Sequence, residues 1–304
     1  ELLKRGKVRE VFINNNEPRY LLIYHSDRLS SFDSNICNIE GKGHLLMLLS
    51  IWWMNNTKHI IDNHYINHYK NYIIAKRCRP IPIEFVVRGY ITGSTNTSLW
   101  THYKNGIRNY CGVDFPDDLT KNQKLETPVL TPTTKSDEHD ELISCQEIVR
   151  RNILTEQQII FVKTKALELF SYGQKIADKK GLLLVDTKYE FGFDEDNNII
   201  LIDEIHTGDS SRYWMKDTYE ELFNSGKEPQ KIDKDAVRDY IKTVCKDPYN
   251  DPLPKSSEIP DSVKDNVRKG YKYLYENICE DILDNFVKGD LDIYDHHHQN
   301  MLRA

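Results

Sequence analysis

Long apolar runs are missing from this chain of 304 residues. The best, Leu45 to Met54, is broken by Ser50 and falls short of the roughly 18 apolar residues a membrane span needs. No membrane partner is therefore expected. Positive charge is not in surplus either: 41 Lys+Arg face 47 Asp+Glu, a net charge of −6. Nucleic acid is gripped by clustered cations, so it is not an expected partner. Glycine (14) and proline (11) are too sparse for a collagenous or disordered chain. Cysteine pairs are absent. Cys37, Cys78, Cys111, Cys145, Cys245 and Cys279 are scattered with no Cys-x-x-Cys, which argues against a zinc ribbon or a disulfide framework. They read as reduced thiols of a cytoplasmic protein. The opening cations Lys4, Arg5, Lys7 and Arg9 run into Glu10 and not into an apolar segment, so no secretory leader is expected there.

What is present suits a compact protein, with 39% hydrophobic and 11% aromatic residues to fill a core. The first third reads as strands: Val8 to Ile13 and Tyr20 to Tyr24 flank a polar Asn-rich turn, a hairpin signal. The stretch around Leu45–Trp53 is helix-like and follows Gly41 and Gly43. Pro80 and Pro82 punctuate the chain before a strand-like run from Ile83 to Ile91, placing a lobe boundary near Arg79. From Asn109 to His139 the composition is polar and proline-dotted, the mark of a long ordered loop or lid. Ser144 with Glu147, and Thr155 with Gln158, have capping-box spacing, and a helical repeat from Ile159 to Ile176 stops at Gly181. A second hairpin is expected from Leu182–Phe193 and Ile199–Ile205, and further helices near Asp233–Val244 and Val263–Phe286. No repeat or low-complexity block occurs, and His296–His298 reads as an exposed terminal segment, not a metal site.

The densest chemical signal is Val185-Asp186-Thr187-Lys188-Tyr189-Glu190-Phe191-Gly192. Alternation along a strand puts Asp186, Lys188 and Glu190 on one face, where three charges beside an apolar run are costly unless something binds. The hairpin turn brings Asp203 roughly opposite Glu190. Two converging carboxylates with a lysine between suit magnesium and a nucleotide phosphate. A solvated hairpin face is the alternative. Gly6-Lys7-Val8-Arg9 offers a glycine turn and two cations. Arg88 and Ser94 bracket a Thr-Gly-Ser turn, and Gly208-Asp209-Ser210-Ser211-Arg212 is a second donor-rich loop. Each is a candidate phosphate clasp, or an ordinary turn. Thr131 to Lys135 with His139-Asp140-Glu141 reads as an acid–cation lid or as a capped loop.

Taken in order, these motifs resemble the SAICAR synthetase family. The likeness runs from Gly6 to about Tyr240 and adds Ser26-Asp27-Arg28, Ser31-Phe32-Asp33, Gly41-Lys42-Gly43, Lys124-Leu125, Asp203-Glu204 and Val237-Arg238-Asp239-Tyr240. It looks like the longer form of that family, with a C-terminal helical extension. One departure is His206-Thr207-Gly208, where the family usually has an apolar residue and then Thr-Pro; losing the proline should loosen that loop.

The resemblance implies an α+β fold. Residues 1–80 would form an antiparallel lobe like the small lobe of kinases, residues 81–245 a larger ATP-grasp-like domain, and residues 246–304 a helical extension packed on it. It implies an ATP-dependent ligase joining L-aspartate to carboxyaminoimidazole ribonucleotide through an acyl phosphate, with ATP and Mg²⁺ required. Gly6, Lys7, Arg9, Glu84 and Lys188 would meet ATP, and Glu190 and Asp203 the metal. Arg88, Ser94, Asp209, Ser211 and Arg212 would hold the ribonucleotide, with Lys188, Asp186, Asp140 and Asp33 catalytic. A monomer handling only small molecules is the expected state. The residues alone leave open a small-molecule kinase, although no His-Arg-Asp loop is present, and a non-catalytic nucleotide-binding module.

Overall fold

A computed structural model describes residues 1–279, apart from residues 33, 96, 136–140 and 233. The N-terminal sheet is antiparallel throughout. Its strands β1 (Leu2–Arg5), β2 (Arg9–Ile13) and β3 (Tyr20–His25) are joined by short turns. The expected hairpin is present, with Glu10 opposite Tyr24 and Phe12 opposite Leu22. The edge strand β1 is not anticipated by the sequence: Leu2-Leu3-Lys4-Arg5 is exposed along its length and carries no alternation. It makes Gly6-Lys7-Val8 the tip of a hairpin of its own, not a lead-in to the next.

A separate two-stranded ribbon follows, β4 (Arg28–Ser31) with β5 (Ser34–Asn38), then helix α1 (Lys42–Asn56). Strands β6 (Tyr65–Tyr69) and β7 (Tyr72–Lys76) complete the first sheet in the order β1-β2-β3-β7-β6. Helix α1 is apolar on nearly every side because it is covered on nearly every side: Met47 and Ile51 pack with Ile23 and Ile73 of this sheet, and Trp53 and Met54 enter the main core.

The second sheet is built on one long strand. After β8 (Arg79–Pro80) and β9 (Ile83–Tyr90) come α2 (Leu99–Lys104), the small pair β10 (Asn109–Tyr110) and β11 (Val113–Asp114), β12 (Lys124–Leu130) and β13 (Thr133–Thr134). Helices α3 (Cys145–Arg150) and α4 (Glu156–Lys179) lead to β14 (Leu182–Phe193), β15 (Ile199–Ile202) and β16 (Ser211–Met215). One edge of β14 pairs with β16 and then β15, the other with β9 and then β8, all antiparallel. The amphipathic α4 covers the sheet with Ile159, Val162, Ala166, Leu169 and Phe170, and its N-terminus carries the full Thr155–Gln158 capping box. At Ser144 only half of the box forms, because the Glu147 carboxylate turns to Arg150 and Arg151.

The stretch from Asn109 to His139 is not a single loop. Its strands β12 and β13 lie along β9, and the sequence hides them because Pro128 sits beside a bulge that breaks the register between Lys124 and Val129. Helices α5 (Lys216–Asn224), α6 (Asp235–Val244) and α7 (Asp261–Ile278) close the fold. Helix α7 bridges two cores. Val267 and Tyr271 pack with Leu29, Phe32 and Ile36, while Leu274 and Ile278 join the main cluster. Among the described residues no helix is long and apolar enough to cross a membrane. His296–His298 lies outside them.

Candidate active site

The period-two reading of β14 holds. Lys188 Nζ lies 2.7 Å from Oε1 of Glu84 on β9 and 3.2 Å from Oε1 of Glu190 on its own strand. The other oxygen of Glu190 is taken by Lys135, at the end of β13. Burial works against the Lys188 charge, but Glu190 and Glu84 more than offset it and hold the ammonium well above its ordinary range. Glu190 sits across from Ile202, so Asp203 follows one residue beyond the last paired position. Asp203 adopts a left-handed backbone, φ 69°, which turns its side chain out of the strand line.

The first hairpin reaches the same place. Gly6 N–H donates to the Arg9 carbonyl at 2.8 Å and closes the tip, while Arg28 Nε donates to the Lys7 carbonyl at 3.1 Å from below. Lys7 is exposed at that tip. Arg9 Nη2 lies 2.7 Å from Oδ2 of Asp203 and 3.1 Å from Oε1 of Glu204. Burial would raise the Asp203 pKa, yet Arg9 and Lys188 drive it well below the usual carboxylate range. Glu190 and Asp203 both offer hard oxygen donors, and Asp203 is kept ionised. Among the described residues no three His, Cys, Asp or Glu side chains converge as a complete metal cage. Two carboxylates suit Mg²⁺, which fills its remaining positions with phosphate and water.

Four residues back along β14 lies a second cluster. Asp186 accepts a bond from Arg212 Nη1, and Arg88 Nη1 stands 3.7 Å from the same oxygen. Arg88 Nε is fixed by Thr131 Oγ1 at 2.8 Å. Arg88, Asp186, Asp209, Ser211, Arg212 and Lys234 line a cavity of about 220 Å³. Asp235 backs it: burial opposes its charge, but Arg212 and Arg238 hold its pKa down at about 2. Ser94 is not among the lining residues; it is exposed and its hydroxyl takes a bond from Lys242. A larger opening of about 510 Å³, lined by Phe32, Ser34, Ile36, Tyr249, Asp251 and Lys255 among others, shares no lining residue with this cavity.

The loop at Gly208 is not loosened by the missing proline. Thr207 Oγ1 bonds the Glu204 carboxylate, Ser210 N–H donates to Thr207 Oγ1 at 3.2 Å, and Ser211 N–H reaches the Thr207 carbonyl at 2.9 Å. Arg212 pairs with Asp186 and not with Asp209. Asp209 is instead held by Lys42 Nζ at 2.6 Å and the Tyr271 hydroxyl at 2.6 Å. His206, also left-handed at φ 52°, buries its imidazole against Trp53 and Tyr189. Asp33 and Asp140 lie outside the described residues.

Sequence reasoning gave no site role to Lys42, Lys234 or Arg238, and it placed Lys135 only in a candidate acid–cation lid. Lys42 had a signal, the glycines on either side. The Asp27 carboxylate caps Gly41 N–H at 3.1 Å and Gly43 N–H at 2.9 Å, and a Cβ at Gly43 would stand 2.4 Å from the His25 carbonyl oxygen. That close approach aims Lys42 inward, leaving it 1% exposed.

The likeness to known proteins extends over the whole arrangement. The SAICAR synthetase family profile matches residues 2–255. A phosphoribosylaminoimidazole-succinocarboxamide synthase of Legionella pneumophila (strain Paris) is 48% identical over 276 residues, covering 90% of this chain and 86% of its own. The chloroplastic enzyme of that name from Arabidopsis thaliana is 48% identical over 281 residues, 92% of this chain and 67% of its own. The structure of the SAICAR synthase from Saccharomyces cerevisiae, complexed with SAICAR, superposes with a TM-score of 0.77 at 29% identity, covering 92% of this chain and 95% of that one. With the carboxylate hairpin, the cation tip and the arginine-lined cavity all inside the matched residues, the chain belongs to the SAICAR synthetase family.

Proposed function

We propose that one face of β14 serves both halves of the ligation, ATP at the Glu190 end and the ribonucleotide at the Asp186 end. The chain is an ATP-dependent ligase of purine biosynthesis; the reaction joins L-aspartate to the 4-carboxylate of carboxyaminoimidazole ribonucleotide. The carrying observation is Lys188, poised between Glu84 and Glu190 on the strand that also holds Asp186 against Arg212.

A carboxylate resists an amine because its carbon is electron-rich and oxide leaves poorly. In the proposed first step an oxygen of the imidazole carboxylate attacks the γ-phosphorus of ATP. An O–P bond forms, the bond to the bridging oxygen breaks, and ADP leaves. In the second, the aspartate amine attacks the carbonyl carbon of the acyl phosphate, the C–O bond breaks, and phosphate departs as the nitrogen loses its proton. Lys188 and Arg9 steady the transferring phosphoryl charge, and Gly6 and Lys7 cover the nucleotide from the hairpin tip. Glu84 orients Lys188. Bound to Glu190 and Asp203, Mg²⁺ would neutralise charge between the phosphates. Arg88, Arg212 and Ser211 grip the ribonucleotide phosphate, with Asp209 beside them; Ser94 would join only after releasing Lys242.

The antiparallel N-terminal sheet supports a kinase-like lobe at residues 1–80; with it we propose an ATP-grasp-like domain at 81–245 and a helical extension at 246–304. Six free thiols support a reducing compartment, the cytoplasm. The same reading takes the protein as a monomer handling small molecules. The test is ADP release with ¹⁸O in the imidazole carboxylate. Release that needs both co-substrates and carries one ¹⁸O into phosphate supports the route; ¹⁸O-free phosphate overturns the acyl phosphate. ADP release without aspartate but with a stable phosphorylated product would make the chain a kinase.

A further inference from the structure

Helix α7 lies beyond the residues matched to the family profile, yet it touches the wall of the arginine-lined cavity. The contact is polar and specific. The Tyr271 ring is fully buried and its hydroxyl donates to Oδ1 of Asp209 at 2.6 Å. Oδ2 of the same carboxylate takes Lys42 Nζ at 2.6 Å, and that ammonium also donates to the Arg28 carbonyl at 2.9 Å. The lysine stands over the Tyr271 ring, 6.0 Å from its centroid.

The approach of the helix depends on the residue before Asp209. A Cβ on Gly208 would lie 2.7 Å from two carbons of the Tyr271 ring and 3.2 Å from Leu274 Cδ1. Real side chains do not pack that closely, so the glycine is what lets the ring reach the loop. The ring is then trapped between the two hydrophobic cores that α7 bridges.

We propose that Tyr271 is a positioning residue for the substrate cavity: with Lys42 on the opposite oxygen, its hydroxyl fixes the plane in which Asp209 presents its remaining lone pairs. A carboxylate held through one oxygen turns freely about its last torsion, which has a broad profile. One held through both does not. The proposal rests on the reading of this cavity as the ribonucleotide site.

Tyr271→Phe keeps the ring and removes only the donor. Calorimetry with the ribonucleotide alone should show affinity reduced about 10-fold, the effect of unpairing one charged acceptor. The KM for ATP should stay within about twofold, and the double variant with Asp209→Asn should bind no worse than Asp209→Asn alone. A folded Tyr271→Phe with parental ribonucleotide affinity, beside an impaired Asp209→Asn, overturns the proposal and leaves the cavity reading standing. Parental affinity in Asp209→Asn overturns the cavity reading and the proposal with it. Should Tyr271→Phe not fold, Gly208→Ala displaces the ring without removing the hydroxyl. It should weaken the ribonucleotide and spare ATP, and equal losses for both substrates would overturn the proposal.

Discussion

Arg9 and Asp203, 194 positions apart in sequence, form a direct ion pair of 2.7 Å that ties the first hairpin to the end of β15. The cation proposed for the nucleotide thus neutralises a carboxylate proposed for the metal. Binding of a metal–nucleotide complex must exchange these partners. Arg9→Gln should raise the KM for ATP at least about tenfold, while Mn²⁺ alone, freed from a competing cation, binds as tightly as before or tighter. Calorimetry decides it: Mn²⁺ affinity falling in step with ATP affinity would exclude the exchange.

Glu190 accepts from Lys188 on one oxygen and from Lys135 on the other. Glu190→Gln keeps the shape and removes the charge. Turnover should drop on the order of 10²-fold with circular dichroism unchanged, because charge stabilisation of the moving phosphoryl group is what is lost. Near-normal turnover at limiting Mg²⁺ would show that the metal sits elsewhere.

Arg212 grips Asp186 and, 3.9 Å off, faces Asp235. A lysine supplies a point charge where the cavity presents a planar fork. Arg212→Lys should weaken ribonucleotide binding by about 1–3 kcal/mol and leave ATP binding alone. Unchanged ribonucleotide affinity by calorimetry would reduce Arg212 to a strut for the loop.

Burial pushes the His206 pKa from its ordinary 6.5 down to about 3. The unfolded chain takes up a proton through that window and the folded chain does not. His206 is thus without effect on the pH dependence above about pH 6.5, and stability falls as pH drops toward 3, by up to about 1.4 kcal/mol per pH unit from this one group. His206→Leu should flatten the slope of urea-unfolding free energy between about pH 4 and 6. A residual slope will persist, because burial also depresses His25 and His64. A variant with the parental slope would refute the assignment to His206.

The parts of the site that were legible in the sequence obey a local rule. Asp186, Lys188 and Glu190 show themselves through strand alternation, and Thr155 with Gln158 through capping spacing. What stayed hidden depends on long-range contact. Tyr271 looks like any apolar position at helical spacing after Val267, and nothing local says that its hydroxyl meets a carboxylate 62 residues earlier. The strand β12 was obscured by its own proline, and β1 by having no buried face. The Asp203 turn is a further case: aspartate tolerates a left-handed φ, but nothing local fixes that conformation at this position.

The double pairing of β14 has a consequence for how this enzyme can fail. Asp186 and Glu190 are four residues apart on one extended backbone, a spacing of roughly 13 Å set by covalent geometry. Neighbours on both edges pin that backbone: β9 and β16 at Asp186–Thr187, β8 and β15 at Gly192–Phe193. A slip of one residue would send all three charges into the core, so the ruler between the two substrates cannot drift by small amounts. Loosening it requires the central sheet to open as a unit. The amides of residues 186–193 should therefore be the slowest in the chain to exchange with deuterium, at rates governed by global unfolding, and substrate spacing should survive in any variant that still folds.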